Sequence, residues 1–290
     1  MSYARVLLLT ALTMIAFAGN SLLCRAALGH SDIDAASFTT IRLISGALML
    51  WLIVQIRRGS RVGKGSWRSA AALFIYAAGF SYAYITLPAS TGALLLFGAV
   101  QATMIGYGIW TGERLRYIQL AGLILAFAGL IGLLLPGVTA PSLLGSVLML
   151  GAGVAWGVYS LRGRGAGNPI AVTAGNFLRT VPIAIVLSAA TFKGISMEAD
   201  GFWYAVASGA LTSGLGYAIW YTVLPALKAT SAATVQLSVP VIAALGGVLL
   251  LGEHISLRLV LASIAILGGI ALVILEKRSA YSVRQLDAKG

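Results

Sequence analysis

Inside the long apolar runs of this chain, the side chains able to do chemistry are amides, hydroxyls, aromatic rings and two guanidiniums. The amides and rings are Asn20, Tyr82, Gln101, Trp156, Tyr159, Asn176, Tyr217, Tyr221 and Gln236, with Ser21 and Trp220 beside them. An unpaired amide in hydrocarbon is expensive, so Asn20, Gln101, Asn176 and Gln236 are expected to face other protein or a water-filled cavity. Rings at membrane depth can stack on an apolar or aromatic ligand and offer an ammonium a cation–π surface. The nine residues from Asn20 to Gln236 therefore form the expected substrate-binding set. Leu94, Phe97, Gln101 and Met104 recur at spacings of three or four, which puts Gln101 on a mixed face with bulky neighbours. Each aromatic taken singly also fits plain packing; the cluster in the sixth and eighth runs sets these apart.

Arg42 and Arg179 lie inside the second and seventh runs. A charge at the bilayer centre costs about 2.5–3.5 kcal/mol on insertion scales. Two readings stay open for this pair: an anion-attracting site, or arginines that cap carbonyls of a neighbouring helix or snorkel to the interface. The eight carboxylates (Asp32, Asp34, Glu113, Glu198, Asp200, Glu253, Glu276 and Asp287) all fall in gaps or at the ends of runs. A carrier coupled to protons commonly keeps a carboxylate at membrane depth. With none there, facilitated or weakly coupled movement is expected, and Glu113 and Glu253 read as ion-paired boundary anchors.

Catalytic patterns are missing: no paired carboxylates, Ser/Lys dyad or His-Glu zinc pattern occurs within the runs. No catalytic residue, metal site or cofactor is expected. Cys24 is the sole cysteine, and His30 and His254 stand alone near run ends. The segment Gly59–Ser66 resembles a phosphate-binding loop, but its glycine spacing is one residue short and no strand precedes it. Ala16-Phe17-Ala18 near the N-terminus has the look of a signal-peptide cleavage site. Its run has a counterpart in the second half of the chain, so it is read as a retained helix.

The elements that must carry these residues follow from composition. Of 290 residues 59% are hydrophobic and 10% charged, against about 25% charged in a soluble domain. Ten runs of membrane-spanning length are legible, at 5–29, 33–57, 67–86, 89–111, 116–135, 141–161, 169–191, 201–224, 229–251 and 256–275. They do not alternate polar with apolar, so helices are expected rather than barrel strands. The net charge of +12 lies mostly in short gaps, the pattern of the positive-inside rule rather than of a nucleic-acid surface. With the N-terminus cytoplasmic, fifteen of the twenty Lys and Arg collect on the cytoplasmic side and three on the other. Both termini are thus expected in the cytoplasm of a bacterial cell, with the protein in the inner membrane.

The chain also repeats itself. At an offset of 137 residues Arg25 maps onto Arg162, Arg42 onto Arg179, Tyr84 onto Tyr221, and Leu87-Pro88-Ala89 onto Leu224-Pro225-Ala226. Beyond a three-residue insertion Ala93 maps onto Ala233 and Gly112-Glu113 onto Gly252-Glu253. Two five-helix halves, 1–136 and 137–278 with a tail at 279–290, are the natural parse. An odd number of spans forces the second half to enter from the opposite side. The expected fold is an all-α membrane protein of ten transmembrane helices arranged as two inverted five-helix repeats, the recurrent plan of secondary transporters. Pro88 and Pro225, at matched places in the two halves, are candidate hinges.

Gly112-Glu113-Arg114 with Gly122 and Gly129, and Pro240 through Gly252-Glu253-His254 with Gly268-Gly269, resemble the EamA family of the drug/metabolite transporter superfamily over about positions 5–275. By overall similarity the chain further resembles bacterial exporters of aromatic amino acids of the YddG type. The first half departs from the pattern, with Val100 where Pro240 stands in the second. The resemblance implies export of amino acids, aromatic or other neutral ones, or of similar small metabolites by alternating access. The alternatives are a multidrug or quaternary-cation exporter, and a channel or non-transporting scaffold. The expected partners are a small-molecule substrate and the lipid bilayer, with no nucleic acid; the oligomeric state is left open.

Overall fold

All ten runs are helical segments in the computed structural model of the chain. It describes every residue except 58–62, 113, 164–166, 192–193, 195, 228 and 288–290, with the side chains of 229, 230 and 276–287 also outside that description. The proposed anchor Glu113, the loop cations Arg58, Arg61, Arg164, Lys193, Lys228 and Lys289, and part of the 59–66 segment therefore lie outside the described residues. Eight segments are single helices: α1 (Tyr3–His30), α2 (Ala35–Ile56), α3 (Trp67–Tyr84), α4 (Ala89–Trp110), α5 (Tyr117–Leu134), α6 (Leu143–Arg162), α7 (Pro169–Ala190) and α12 (Leu257–Asp287). The expected tail thus continues the last helix as far as Asp287.

Local chemistry sets the helix starts. Asp34 Oδ1 accepts from the backbone N–H groups of Ala36 and Ser37 at 3.0 and 2.9 Å, which caps α2. Asn168 accepts from Ala171 N–H at 3.1 Å ahead of Pro169, which opens α7 with its ring angle already helical.

The eighth and ninth segments are broken. The eighth runs as α8 (Ala199–Ala207), a π-helix at Ser208–Leu215, α9 (Gly216–Val223) and a 3-10 turn at Leu224–Ala226. The ninth is α10 (Ala229–Gln236) and α11 (Ser238–Leu251). Pro240 has no N–H to give the carbonyl of Gln236, and its ring crowds that carbonyl, so the helix parts there. Val100 holds the matching place in the first half, and α4 runs through unbroken. The sequence difference thus becomes a one-sided break.

Helix pairing follows the repeat. The packing of α3 on α6 is mirrored by the eighth segment on α1, and that of α4 on α6 by α11 on α1. The packing of α2 on the eighth segment is mirrored by α7 on α3. Across the axis α2 meets α7, α4 meets α11, and α5 meets α12. In the last pair the backbones nearly touch: a Cβ on Gly122 would sit 2.6 Å from the Gly269 carbonyl oxygen. Gly153 and Gly157 bring α6 onto α4 in the same way, 2.6 Å from Ala99 Cβ and 2.8 Å from Thr103 Cβ, whereas Gly112 faces open space. The outer surface is apolar, with Leu7, Leu12, Ile124, Phe127, Leu249 and Leu261 exposed, while Arg42 is buried. Eight of the described helices are long and apolar enough to cross a membrane.

Candidate functional site

At mid-depth, where the halves meet, a cleft with about 400 Å³ of empty space opens among α1, α3, α4, α6 and the broken eighth and ninth segments. Its enclosed room is only about 30 Å³, roughly the share of one water molecule, so a ligand enters only when the walls part. Its lining comes from both halves: Phe17 and Asn20 of α1, Tyr76 and Phe80 of α3, and Leu96 and Phe97 of α4 from the first, and Trp156, Thr212, Tyr217 and Gln236 from the second. The repeat offset relates Phe80 to Tyr217, and the later offset relates Leu96 to Gln236. Two repeat-equivalent pairs therefore line the same cleft.

Trp156 is the centre of the aromatic wall. Its ring stacks on Tyr159 at 5.3 Å and on Tyr217 at 5.2 Å, with interplanar angles of 27° and 21°. Tyr76 leans on it at 4.8 Å. Ring pairs at such distances lock one another's rotamers, so the wall is preorganised before any ligand arrives.

A polar chain runs beneath. Asn20 Nδ2 donates to Tyr76 Oη at 3.2 Å, and Asn20 Oδ1 accepts from Ser208 Oγ at 2.6 Å and Thr212 Oγ1 at 3.3 Å. Arg42 Nη2 donates to the same Tyr76 Oη at 2.9 Å. The π-helix makes this possible by widening the turn that carries Ser208 and Thr212, a distortion found mostly at functional positions. Gly209 lets that turn press on α2, since a Cβ there would collide with the Arg42 carbonyl and Ser45.

Four of the nine expected binding residues line the cleft: Asn20, Trp156, Tyr217 and Gln236. Tyr159 and Asn176 stand one contact behind. Asn176 Nδ2 donates to Tyr159 Oη at 3.4 Å, while Asn176 Oδ1 accepts from Ser66 N–H at 2.8 Å. Gln101 is buried in α4, Tyr221 packs against the core, and Tyr82 is half-buried two residues from the end of α3; none lines the cleft. Three residues missing from the expected set, Tyr76, Phe80 and Thr212, are central. Phe80 was within reach of the sequence as the repeat counterpart of Tyr217, and Tyr76 lies one turn before it on α3.

The two arginines differ. Arg42 is 2% exposed, with its guanidinium carbon 4.7 Å from the Phe80 ring centroid and 5.2 Å from that of Tyr76. Arg179 is half-buried; it donates to its own helix at Gly175 O, 3.1 Å away, and stacks on Trp67 at 5.8 Å. Arg179 thus bonds a carbonyl of its own helix rather than of a neighbouring one, and Arg42 donates to the Tyr76 hydroxyl. Pro88 starts α4 and Pro225 lies in the 3-10 turn, so both sit in connections between segments. The described part of the 59–66 segment is bound to α7: Gly63 N–H donates to Ala171 O at 2.9 Å, and Ser66 N–H is taken by Asn176. Those donors are not free for a phosphate. Among the described residues no three His, Cys, Asp or Glu gather as metal ligands.

On one face an ion pair ties three elements together. Glu253 follows Gly252, whose φ of +64° turns the chain back after α11. Its two carboxylate oxygens accept from Ala89 N–H at 2.8 and 2.9 Å, at the start of α4. Arg25 Nε stands 3.4 Å from the same carboxylate, and Arg25 Nη1 donates to the carbonyls of Tyr84 and Ile85 at 3.0 and 3.2 Å. This latch joins α1, the α3–α4 turn and the α11–α12 turn. Arg162, the repeat counterpart of Arg25, instead donates to Ser69 Oγ at 3.1 Å and Ser66 Oγ at 3.4 Å on the opposite face. The halves therefore share a design but hold different contacts.

Residues 143–275 match the EamA-like transporter family. A Pseudomonas aeruginosa protein of uncharacterized function is 58% identical over 271 residues, 93% of this chain and 94% of its own length. The chain belongs to the EamA-like transporter family. Two more distant relatives carry transporter names. One is the threonine/homoserine exporter RhtA of Salmonella typhimurium, 28% identical over 51% of this chain and 50% of its own. The other is the uncharacterized transporter YoaV of Bacillus subtilis, 23% identical over 83% and 88%. A crystal structure with 21% identity covers 96% of this chain and 99% of its own with a TM-score of 0.69, which speaks for the fold alone. This member of the EamA family is accordingly a multi-pass membrane protein of a family of transporters.

Proposed function

We propose that the protein exports amino acids, aromatic or other neutral ones, or similar small metabolites across the bacterial inner membrane by alternating access, with both termini cytoplasmic. The observation that carries this reading is the cleft itself. It lies at the join of the repeats and is lined by Phe80/Tyr217 and Leu96/Gln236; in this reading the Arg25–Glu253 latch holds one face shut. A site at the repeat interface, with one side shut and a discontinuous helix beside it, is what rocking between two states requires. The break at Gln236–Leu237 and the turns holding Pro88 and Pro225 are the bending points in this scheme. Asn20, Trp156, Tyr217 and Gln236 contact the substrate; Tyr159 and Asn176 hold Trp156 and α7 in place. Movement outward is argued from RhtA, which is named an exporter. Among the described residues no carboxylate lines the cleft, which favours facilitated movement over proton coupling.

The test is counterflow in proteoliposomes screened against the amino acids. Saturable uptake of labelled substrate, stimulated by unlabelled substrate inside and unaffected by an imposed proton gradient, is expected. Trp156→Ala should raise the half-saturation concentration by about tenfold through loss of stacking, while Tyr82→Ala should leave it alone. Unsaturable flux without trans-stimulation would identify a channel and overturn the proposal.

A further inference from the structure

Arg42 is the largest fully buried side chain among the described residues. Among the described residues it has no carboxylate partner, since the ion pair found there joins Arg25 to Glu253. One guanidinium nitrogen, Nη2, is held by Tyr76; the other, Nη1, is buried and has no hydrogen-bond partner. The faces of Tyr76 and Phe80 attract the cation, but a ring offers far less than an anion. Both rings are walls of the cleft, so the unsatisfied charge sits directly behind the surface that a ligand would meet. Tyr76 Oη already accepts from Asn20 and Arg42, which leaves its own hydrogen to donate.

We propose that Arg42 anchors the carboxylate of the substrate, so that the cleft takes carboxylate-bearing small molecules with an apolar or aromatic body and rejects their decarboxylated amines. When the Tyr76 and Phe80 rings part, the incoming carboxylate accepts from Arg42 Nη1 and from the Tyr76 hydroxyl, while the body of the molecule lies against Trp156. The anchor is single: Arg179, its repeat counterpart, is satisfied by Gly175 and Trp67. An uncompensated guanidinium behind the wall repels a cation, which speaks against quaternary-cation substrates. This inference deepens the function proposed above and rests on it.

The experiment uses the full chain in proteoliposomes with labelled L-phenylalanine and labelled L-threonine in counterflow. The competitors are their decarboxylated amines, phenethylamine and 1-aminopropan-2-ol, and their deaminated acids, 3-phenylpropanoate and 3-hydroxybutanoate. The acids should compete and the amines should be weaker by at least about tenfold, the worth of a charge-assisted hydrogen bond. Arg42→Gln keeps a donor for Tyr76 but loses the charge; it should raise half-saturation about 10- to 100-fold and erase the difference between acid and amine. Arg179→Gln should change neither. Amines that compete as well as the parent amino acids overturn the anchor, and so does an Arg42→Gln protein with unchanged half-saturation. If Arg42→Gln does not fold, the wild-type competition decides alone. Absence of counterflow with both amino acids removes the amino-acid reading itself, and the anchor with it.

Discussion

Neutralising Glu253 tests the latch with the protein's own cysteine as reporter. In Glu253→Gln the side-chain shape is kept, and one oxygen still accepts from Ala89 N–H. What goes is the charge that faces Arg25 Nε at 3.4 Å. Two unit charges at that distance attract by about 5 kcal/mol at an effective dielectric of ~20. Desolvation of side chains only 21% and 10% exposed offsets most of this, leaving about 1–2 kcal/mol net, together with a few tenths from the lost anion at the start of α4. Since 1.4 kcal/mol is tenfold, the state open toward the latch face should rise in population about 5- to 50-fold. Cys24 adjoins Arg25, is fully buried and is the sole cysteine. Its labelling by N-ethylmaleimide in proteoliposomes should accelerate by that factor, because reaction through a minor open state scales with its population. Gly122→Ala, which disturbs the distant α5–α12 pair, is the control and should label at the wild-type rate. A labelling rate in folded Glu253→Gln within twofold of wild type would refute the assignment of the ion pair as a latch.

Other outcomes follow from the packing. Gly122→Ala must push its Cβ against the Gly269 carbonyl, 2.6 Å away, at a cost of about 1–3 kcal/mol. Gly268→Ala meets nothing within 4 Å and should be neutral within about 0.5 kcal/mol; thermal midpoints in detergent compare the two, and equal shifts would count against the α5–α12 contact. Tyr76→Phe removes the acceptor shared by Arg42 and Asn20, leaving two buried donors unpaired. It should cost about 1–3 kcal/mol, seen as a lower midpoint with no change in oligomeric state.

Ten spans and two halves were legible in the amino-acid sequence, because hydrocarbon demands about 20 apolar residues per crossing. The one-sided Pro240 was visible too, but that it parts a helix while Pro182 leaves α7 whole was decided only by the structure. The repeat offset went further and implied a site between the halves, and the equivalent residues Phe80 and Tyr217 both line it. Only the tertiary structure decided which polar groups face inward. In water an apolar stripe marks the buried side of a helix; in lipid the outer face is as apolar as the core, so Tyr76 and Tyr82 look alike in sequence. The same holds for Arg42 and Arg179, matched by the repeat and separated by their neighbours. One lies under the cleft with a nitrogen unbonded, and the other is satisfied by its own helix and Trp67.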